Sequence, residues 1–156
     1  FDSICKRLSF GAFTVFRDRQ ITNKMLSANG DIRVIKSRNI NDSGTELIDI
    51  DGYDAFISKE LAENLSVYSF YTSNSVFLTP NMTYKPRLIR KPANMLVNGS
   101  VAILTLIDRK DITEKQRSYF STDEYRAFYK IARNYQTRSL NVDSNSVFFF
   151  GLLKEV

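Results

Sequence analysis

The stretch Pro80-Asn81-Met82-Thr83-Tyr84-Lys85-Pro86-Arg87-Leu88-Ile89-Arg90-Lys91-Pro92, continued by Asn94-Met95-Leu96-Val97-Asn98-Gly99-Ser100 and Val101-Ala102-Ile103-Leu104, divides the chain. Its first half holds all three prolines of the protein and four cations, Lys85, Arg87, Arg90 and Lys91, with no acid. Proline donates no ladder hydrogen bond, so this half reads as a stiffened basic loop and not as a buried strand. Leu96 to Ser100 reads as a turn, and Val101 to Leu106 as an apolar strand. A rigid basic loop between strands suits the grip of a polyanion. A solvated connection is the plainer reading of the same charges.

The 156 residues around this stretch fit one domain. Apolar residues make up 43%, enough for a core, with 12 Phe and 8 Tyr supplying its bulk. The formal charge of +5 permits a nucleic acid or an anionic surface as partner without requiring either. The single cysteine, Cys5, excludes an internal disulfide and fits a reducing, cytoplasmic compartment. The longest apolar run, Val147 to Leu153, is far too short to span a bilayer, and no signal peptide is visible. The chain starts at Phe1 without a methionine, which points to a piece of a longer protein.

Absences narrow the chemistry. There is no histidine, which removes the commonest general base and the commonest metal ligand. One cysteine and no histidine exclude a zinc site of the usual kind. The 6 glycines are scattered and form no phosphate loop. Asp49-Ile50-Asp51-Gly52-Tyr53-Asp54 has the wrong spacing for a calcium loop and reads as a turn with solvated acids. No local signature supplies a Ser or Thr nucleophile with a partner.

In chain order, Phe1 to Leu8 reads as a connection and Ser9 to Phe16 as an aromatic, β-branched strand. Asn29-Gly30 signals a turn, and Asp31 to Lys36 alternates as a half-buried strand does. Ser37-Arg38-Asn39-Ile40 follows; Arg and Asn each contact base edges bidentately, though a surface turn is the plainer reading of an isolated pair. From Asp42 to Glu63 there are seven acids against Lys59 alone, a face that a DNA-binding protein would hold away from phosphates. Ser58 caps a short helix. Val67 to Tyr71 and Ser75 to Leu78 read as strands. Thr113-Glu114-Lys115-Gln116 and Ser121-Thr122-Asp123-Glu124 are helix starts of the capping-box type. The second helix carries Tyr125, Phe128, Tyr129, Ile131 and Ala132 as a core-facing stripe, with Arg126, Lys130 and Arg133 opposite. From Arg126 to Asn141 there are four cations and no anion, and Asn134 to Asn141 gathers amides, hydroxyls, an aromatic and Arg138 in one loop. Such side chains contact base edges and phosphates. Ser146 to Leu152 closes the chain as an apolar strand. The expected class is α+β: a single β-rich domain over residues 1–156 with a twisted, mostly antiparallel sheet, a few short helices and one longer helix near residues 122–134.

Several segments resemble known proteins. Phe16-Arg17-Asp18-Arg19-Gln20-Ile21-Thr22, followed by Gly30-Asp31-Ile32-Arg33-Val34-Ile35-Lys36-Ser37-Arg38-Asn39-Ile40, is similar to the opening of target-recognition domains of restriction-modification enzymes. There a "G-x-Q-I" segment precedes a strand ending in "R-N-I"; this chain has Arg19 where glycine is common. Four further segments resemble the C-terminal region of type IIS N6-adenine DNA methyltransferases. They are Pro80-Asn81-Met82-Thr83-Tyr84 with Pro86-Arg87, then Asn98 to Leu104, Phe120 to Tyr129, and Thr137 to Asp143. The type I specificity-subunit recognition domains are similar in kind.

The resemblance implies a division of labour. A catalytic domain of the same polypeptide would bind S-adenosylmethionine and flip the target adenine, using an Asn-Pro-Pro-Tyr motif. That motif is absent here, since Asn81-Met82-Thr83-Tyr84 lacks both prolines. This chain, with no cofactor, metal or catalytic residue of its own, would read double-stranded DNA in the major groove, where all four base pairs differ. The base-reading residues would be Arg38, Asn39, Tyr84, Arg87, Arg133, Arg138 and Asn141; the phosphate contacts would be Lys85, Arg90, Lys91 and Lys130. Two other readings stand beside it. One is a protein-interaction or structural module. The other is a nuclease fragment holding magnesium with Asp49, Asp51, Asp54 and Glu60 near Lys59.

Overall fold

The computed structural model describes residues 1–81, 83, 85–133 and 144–154. Its central layer is a four-stranded antiparallel sheet in the order β2-β8-β5-β6, from β2 (Phe13–Arg17), β5 (Phe77–Pro80), β6 (Ile89–Arg90) and β8 (Val101–Leu106). β8 pairs with β2 from Phe13↔Leu106 to Arg17↔Ala102, and with β5 from Phe77↔Leu104 to Pro80↔Val101. Both faces of this sheet are covered, which is why β8 is apolar and buried from Val101 to Leu104. Ala102 and Leu104 enter one core, Val101 and Ile103 the other. Phe77 and Leu78 of β5 split in the same way, as the two-residue period of a strand requires.

The first core is helical. α1 (Asp2–Arg7), α3 (Glu114–Tyr119), α4 (Asp123–Ala132) and α5 (Ser144–Val147) surround it, with Phe120, Tyr125, Phe128 and Phe150 as its large rings. A two-stranded sheet, β1 (Leu8–Ser9) with β9 (Leu152–Leu153), closes that side. The second core lies under a three-stranded sheet in the order β4-β3-β7, from β3 (Ile32–Ile35), β4 (Ala55–Ile57) and β7 (Leu96–Val97). β3 runs antiparallel to β4 and parallel to β7. α2 (Lys59–Ala62) follows β4, and Ser58 caps it by accepting from the Leu61 amide at 3.3 Å. The class is α+β with mostly antiparallel sheets and few helices, as expected. Among the described residues no helix is long and apolar enough to cross a membrane.

Several elements differ from the sequence reading. Phe1 to Leu8 is not a connection: residues 2–7 are helical, and Ile4 is buried. The first strand is two strands, interrupted where Gly11 takes φ +71°. Val67 to Tyr71 is no strand. Ser66–Phe70 is a 3-10 helix, in which residues three apart eclipse, and Tyr68 stacks on Tyr71 at 5.1 Å. Leu96 and Val97 pair with β3 before the turn begins. Thr122, not Ser121, caps α4, accepting from the Tyr125 amide at 3.2 Å. The closing strand is a short helix, α5, and then β9. The proline-rich stretch is only partly a loop: Leu88 and Ile89 are buried, and β6 is an edge strand between Pro86 and Pro92, where missing donors cost least.

Candidate functional site

β3 ends at Ile35, and the chain turns through a 3-10 segment, Ser37–Asn39. Asn39 makes that turn rigid. Its Oδ1 accepts from the Lys36 amide at 3.0 Å, while its Nδ2 donates to the Ile48 carbonyl at 3.0 Å and to Asp54 at 2.7 Å. The Ser37 amide donates to Ser100 Oγ at 3.0 Å, and the Arg38 amide to the Tyr53 hydroxyl at 3.2 Å. Arg38 is exposed, with its guanidinium carbon 4.8 Å from the Tyr53 ring centre. Lys36 Nζ lies 3.9 Å from the same centre. One tyrosine thus backs two cations, each held near its π face.

Arg38 stands at the rim of a groove of about 610 Å³, formed with the loops at 40–50 and 80–87. Lys85 and Arg87 also line it, as does Asp42. Lys85 is exposed and reaches Asp42 at 3.4 Å. Arg87 lies beneath, with 8% of its side chain accessible. It donates to Thr83 Oγ1 at 3.2 Å, to the Lys85 carbonyl at 2.8 Å and to the Ile40 carbonyl at 3.1 Å. Burial lowers its pKa, and Asp42 at 3.8 Å opposes that effect. The loop at 41–46 closes over Arg87 because residue 44 is glycine: at φ +68°, a Cβ there would stand 2.8 Å from Arg87 Cβ.

α4 borders the groove. Arg126 donates to the Pro86 carbonyl at 3.1 Å and to the Asp42 carbonyl at 2.6 Å. Residues i, i+4 and i+7 share a helix face, so Arg126, Lys130 and Arg133 form a stripe that leaves the groove along roughly 10 Å of helix. Lys130 is exposed. Arg133 is half-buried and ties α4 to α5, donating to the Tyr129 hydroxyl at 3.2 Å and to Ser146 Oγ.

Four expected contacts are displaced. Asn39 is fully buried and staples the turn, so its amide has no face left for a base edge. Arg87 holds carbonyls under the groove floor and presents no fork to solvent. Lys91 is fully buried and donates to the carbonyls of Tyr71, Ser73 and Pro92 at 3.2, 3.1 and 2.9 Å, where no phosphate reaches it. Arg90 is exposed but lies on β6, away from the groove, bonded to Asp111 and stacked at 4.9 Å on Phe77. Its bond holds the Asp111 carboxyl below the ordinary range. Tyr84, Arg138 and Asn141 lie outside the described residues.

The acidic stretch does not stay apart from the basic loop. Asp42 enters the groove, and Asp49 and Asp54 both pair with Arg33. Asp54 also accepts from the Ile50 amide at 3.0 Å. Among the described residues, no three His, Cys, Asp or Glu side chains gather as metal ligands would. Lys36, Asp42, Tyr53 and Arg126 belong to the site and escaped the sequence reading; only Arg126, opposite a helical core stripe, carried a signal for it. No protein-family model matches the chain, and no curated protein matches it.

Lys91 carries a prediction of its own. Burial lowers its pKa from the ordinary 10.5 to about 8. Between those values the unfolded chain still holds the proton while the folded chain has begun to release it, so stability rises with pH there. Urea unfolding of the native protein and of Lys91→Met, compared from pH 7 to pH 9.5, should give a stability difference level below about pH 8 and growing above it. A difference that stays level throughout would mean that the amine titrates as a solvated lysine.

Proposed function

We propose that this chain is a sequence-reading module for double-stranded DNA, the recognition part of an adenine-N6 methyltransferase whose catalytic domain and S-adenosylmethionine site lie elsewhere in the parent polypeptide. The observation that carries this reading is Arg38: an exposed guanidinium on a stapled turn, at the rim of a groove that also presents Lys85. An arginine fork pairs bidentately with the O6 and N7 of guanine, and a fixed base under the fork reduces the entropy lost on binding. Lys36, Lys85 and Lys130 would take phosphates, which position the duplex without reading it. The resemblance described from the sequence supports the same assignment.

The test is fluorescence anisotropy against a random-sequence duplex, a single strand and an RNA hairpin, across a salt series. Three or four phosphate contacts give a log–log slope of about −3 to −4 for the duplex. Binding equal for all three nucleic acids, or no duplex binding at low salt, would overturn the reading and leave an interaction module in its place.

Asp42 supplies a sharper prediction. Its carboxylate lies 3.4 Å from Lys85 and competes with phosphate for that ammonium. Asp42→Asn removes the competitor and leaves the Asp42 carbonyl on Arg126 untouched. Duplex affinity at low salt should rise about 3- to 10-fold, and the gain should shrink as salt screens the groove. An unchanged or weaker affinity would place Lys85 outside the interface.

A further inference from the structure

Across α4 from the groove lies a second basic concavity. Glu124 and Arg126 sit two residues apart on α4, about 200° around its axis, so they point to opposite sides. Arg126 reaches the groove, and Glu124 reaches Arg7 at 2.6 Å and Tyr119 at 2.5 Å. There a pocket of about 270 Å³ is lined by Lys6 and Arg7 from α1, Lys115 and Tyr119 from α3, and Leu153 and Lys154 at the end of β9.

Three separate segments therefore bring four cations to one small hollow, and among the described residues its lining contains no acid. The walls are fixed. β1 pairs with β9 at Leu8↔Leu153, the Lys154 amide donates to the Arg7 carbonyl at 2.9 Å, and Gln116 Nε2 donates to the Leu153 carbonyl at 3.1 Å. Arg7 is oriented by Glu124 and by the Tyr119 hydroxyl at 3.4 Å. Among the described residues, no carboxylate pairs with the ammonium groups of Lys6, Lys115 or Lys154. Like charges gathered this closely repel one another, and a multivalent anion relieves that repulsion.

We propose that this pocket binds a phosphate group. Its volume falls just below the range of about 300–1,000 Å³ that holds whole drug-sized ligands, which favours one phosphate over an entire nucleotide. The lysines supply point charges, and Arg7 supplies planar donors. Glu124, kept ionised by Tyr119 and Arg7, orients the arginine and is not among the lining residues. The phosphate comes from a small phosphomonoester or from a DNA strand. The pocket stands independently of the groove, since no described residue is shared between them.

The probe is inorganic phosphate, compared with chloride at equal ionic strength, read as the melting temperature of the native chain, of Lys115→Ala/Lys154→Ala and of Arg38→Ala. Both lysines are exposed, so the double variant should fold. At a concentration tenfold above Kd, phosphate should raise the native melting temperature by about 4 °C. The double variant should lose that shift and Arg38→Ala should keep it. No shift over chloride, or an equal shift in the double variant, would overturn the proposal. Duplex binding then assigns the source. A double variant weakened on duplex points to the DNA strand, and one unchanged on duplex points to a free phosphomonoester.

Discussion

Tyr125→Ala is expected to destabilise the chain by about 3–5 kcal/mol, the cost of removing a fully buried aromatic ring, with roughly 1 kcal/mol more for the carbonyl it leaves bare. The ring is the joint of the helical core. It meets Phe120 edge-on at 4.9 Å, and Tyr119, Phe128 and Tyr129 lie within 6 Å of it. Its hydroxyl donates to the Phe149 carbonyl at 2.5 Å, which fixes the chain entering β9. Tyr125→Phe separates the two contributions: it keeps the ring and strands the carbonyl, and should lose only about 1–2 kcal/mol. Typical domains hold about 5–15 kcal/mol in all, so the alanine variant should be largely unfolded in mild urea and the phenylalanine variant should not. Equal losses in the two variants would show that the hydroxyl, and not the ring, holds this core together.

Arg38→Ala is expected to weaken binding to the recognised duplex by about 1–3 kcal/mol, roughly 5- to 150-fold, while affinity for random duplex barely changes. The recognised duplex is found first by selection from a random pool. Arg38→Lys decides between base and phosphate. Lysine keeps the charge and loses the fork, so it should leave affinity for random duplex unchanged and fail to restore discrimination. Lysine restoring full affinity, with alanine weakening all sequences alike, would make Arg38 a phosphate contact and move base reading elsewhere. Folding should be indifferent to either change, because the turn is held by Asn39, Ser100 and Tyr53 and not by the guanidinium.

The parts of the fold legible in the sequence are those with a clear period and a clear start. α4 has a polar cap, acids in its first turn and an apolar stripe, and it lies within one residue of its expected start. β3 and β8 likewise form where expected, although Val34 and Ile35 are both buried, so β3 does not alternate as read. Ser146 to Leu152 misleads because its apolar residues run without a break although Phe148 is exposed, and such a run lacks the period that separates helix from strand. The candidate site was less legible for a different reason. Arg87 and Lys91 look like their exposed neighbours, and only the folded chain reveals which cations meet backbone carbonyls. Asn39 shows the same limit: an amide next to an exposed arginine reads as a second contact, yet its bonds run inward. Asp42 and Tyr53 belong to an acidic stretch whose sequence gives no sign that it folds back on the basic loop.

The stapled turn at 37–39 has a consequence for how such a protein changes over generations. Position 38 points outward while the backbone of its turn is pinned at residues 36, 37 and 38, so its side chain can be exchanged with little effect on the frame. Surface exchanges of this kind usually alter stability by about 0.5 kcal/mol or less. Under the proposed reading, a single-codon change there would retune what the groove prefers without a compensating change elsewhere. A descendant could acquire a new preference in one step, with the scaffold inherited intact.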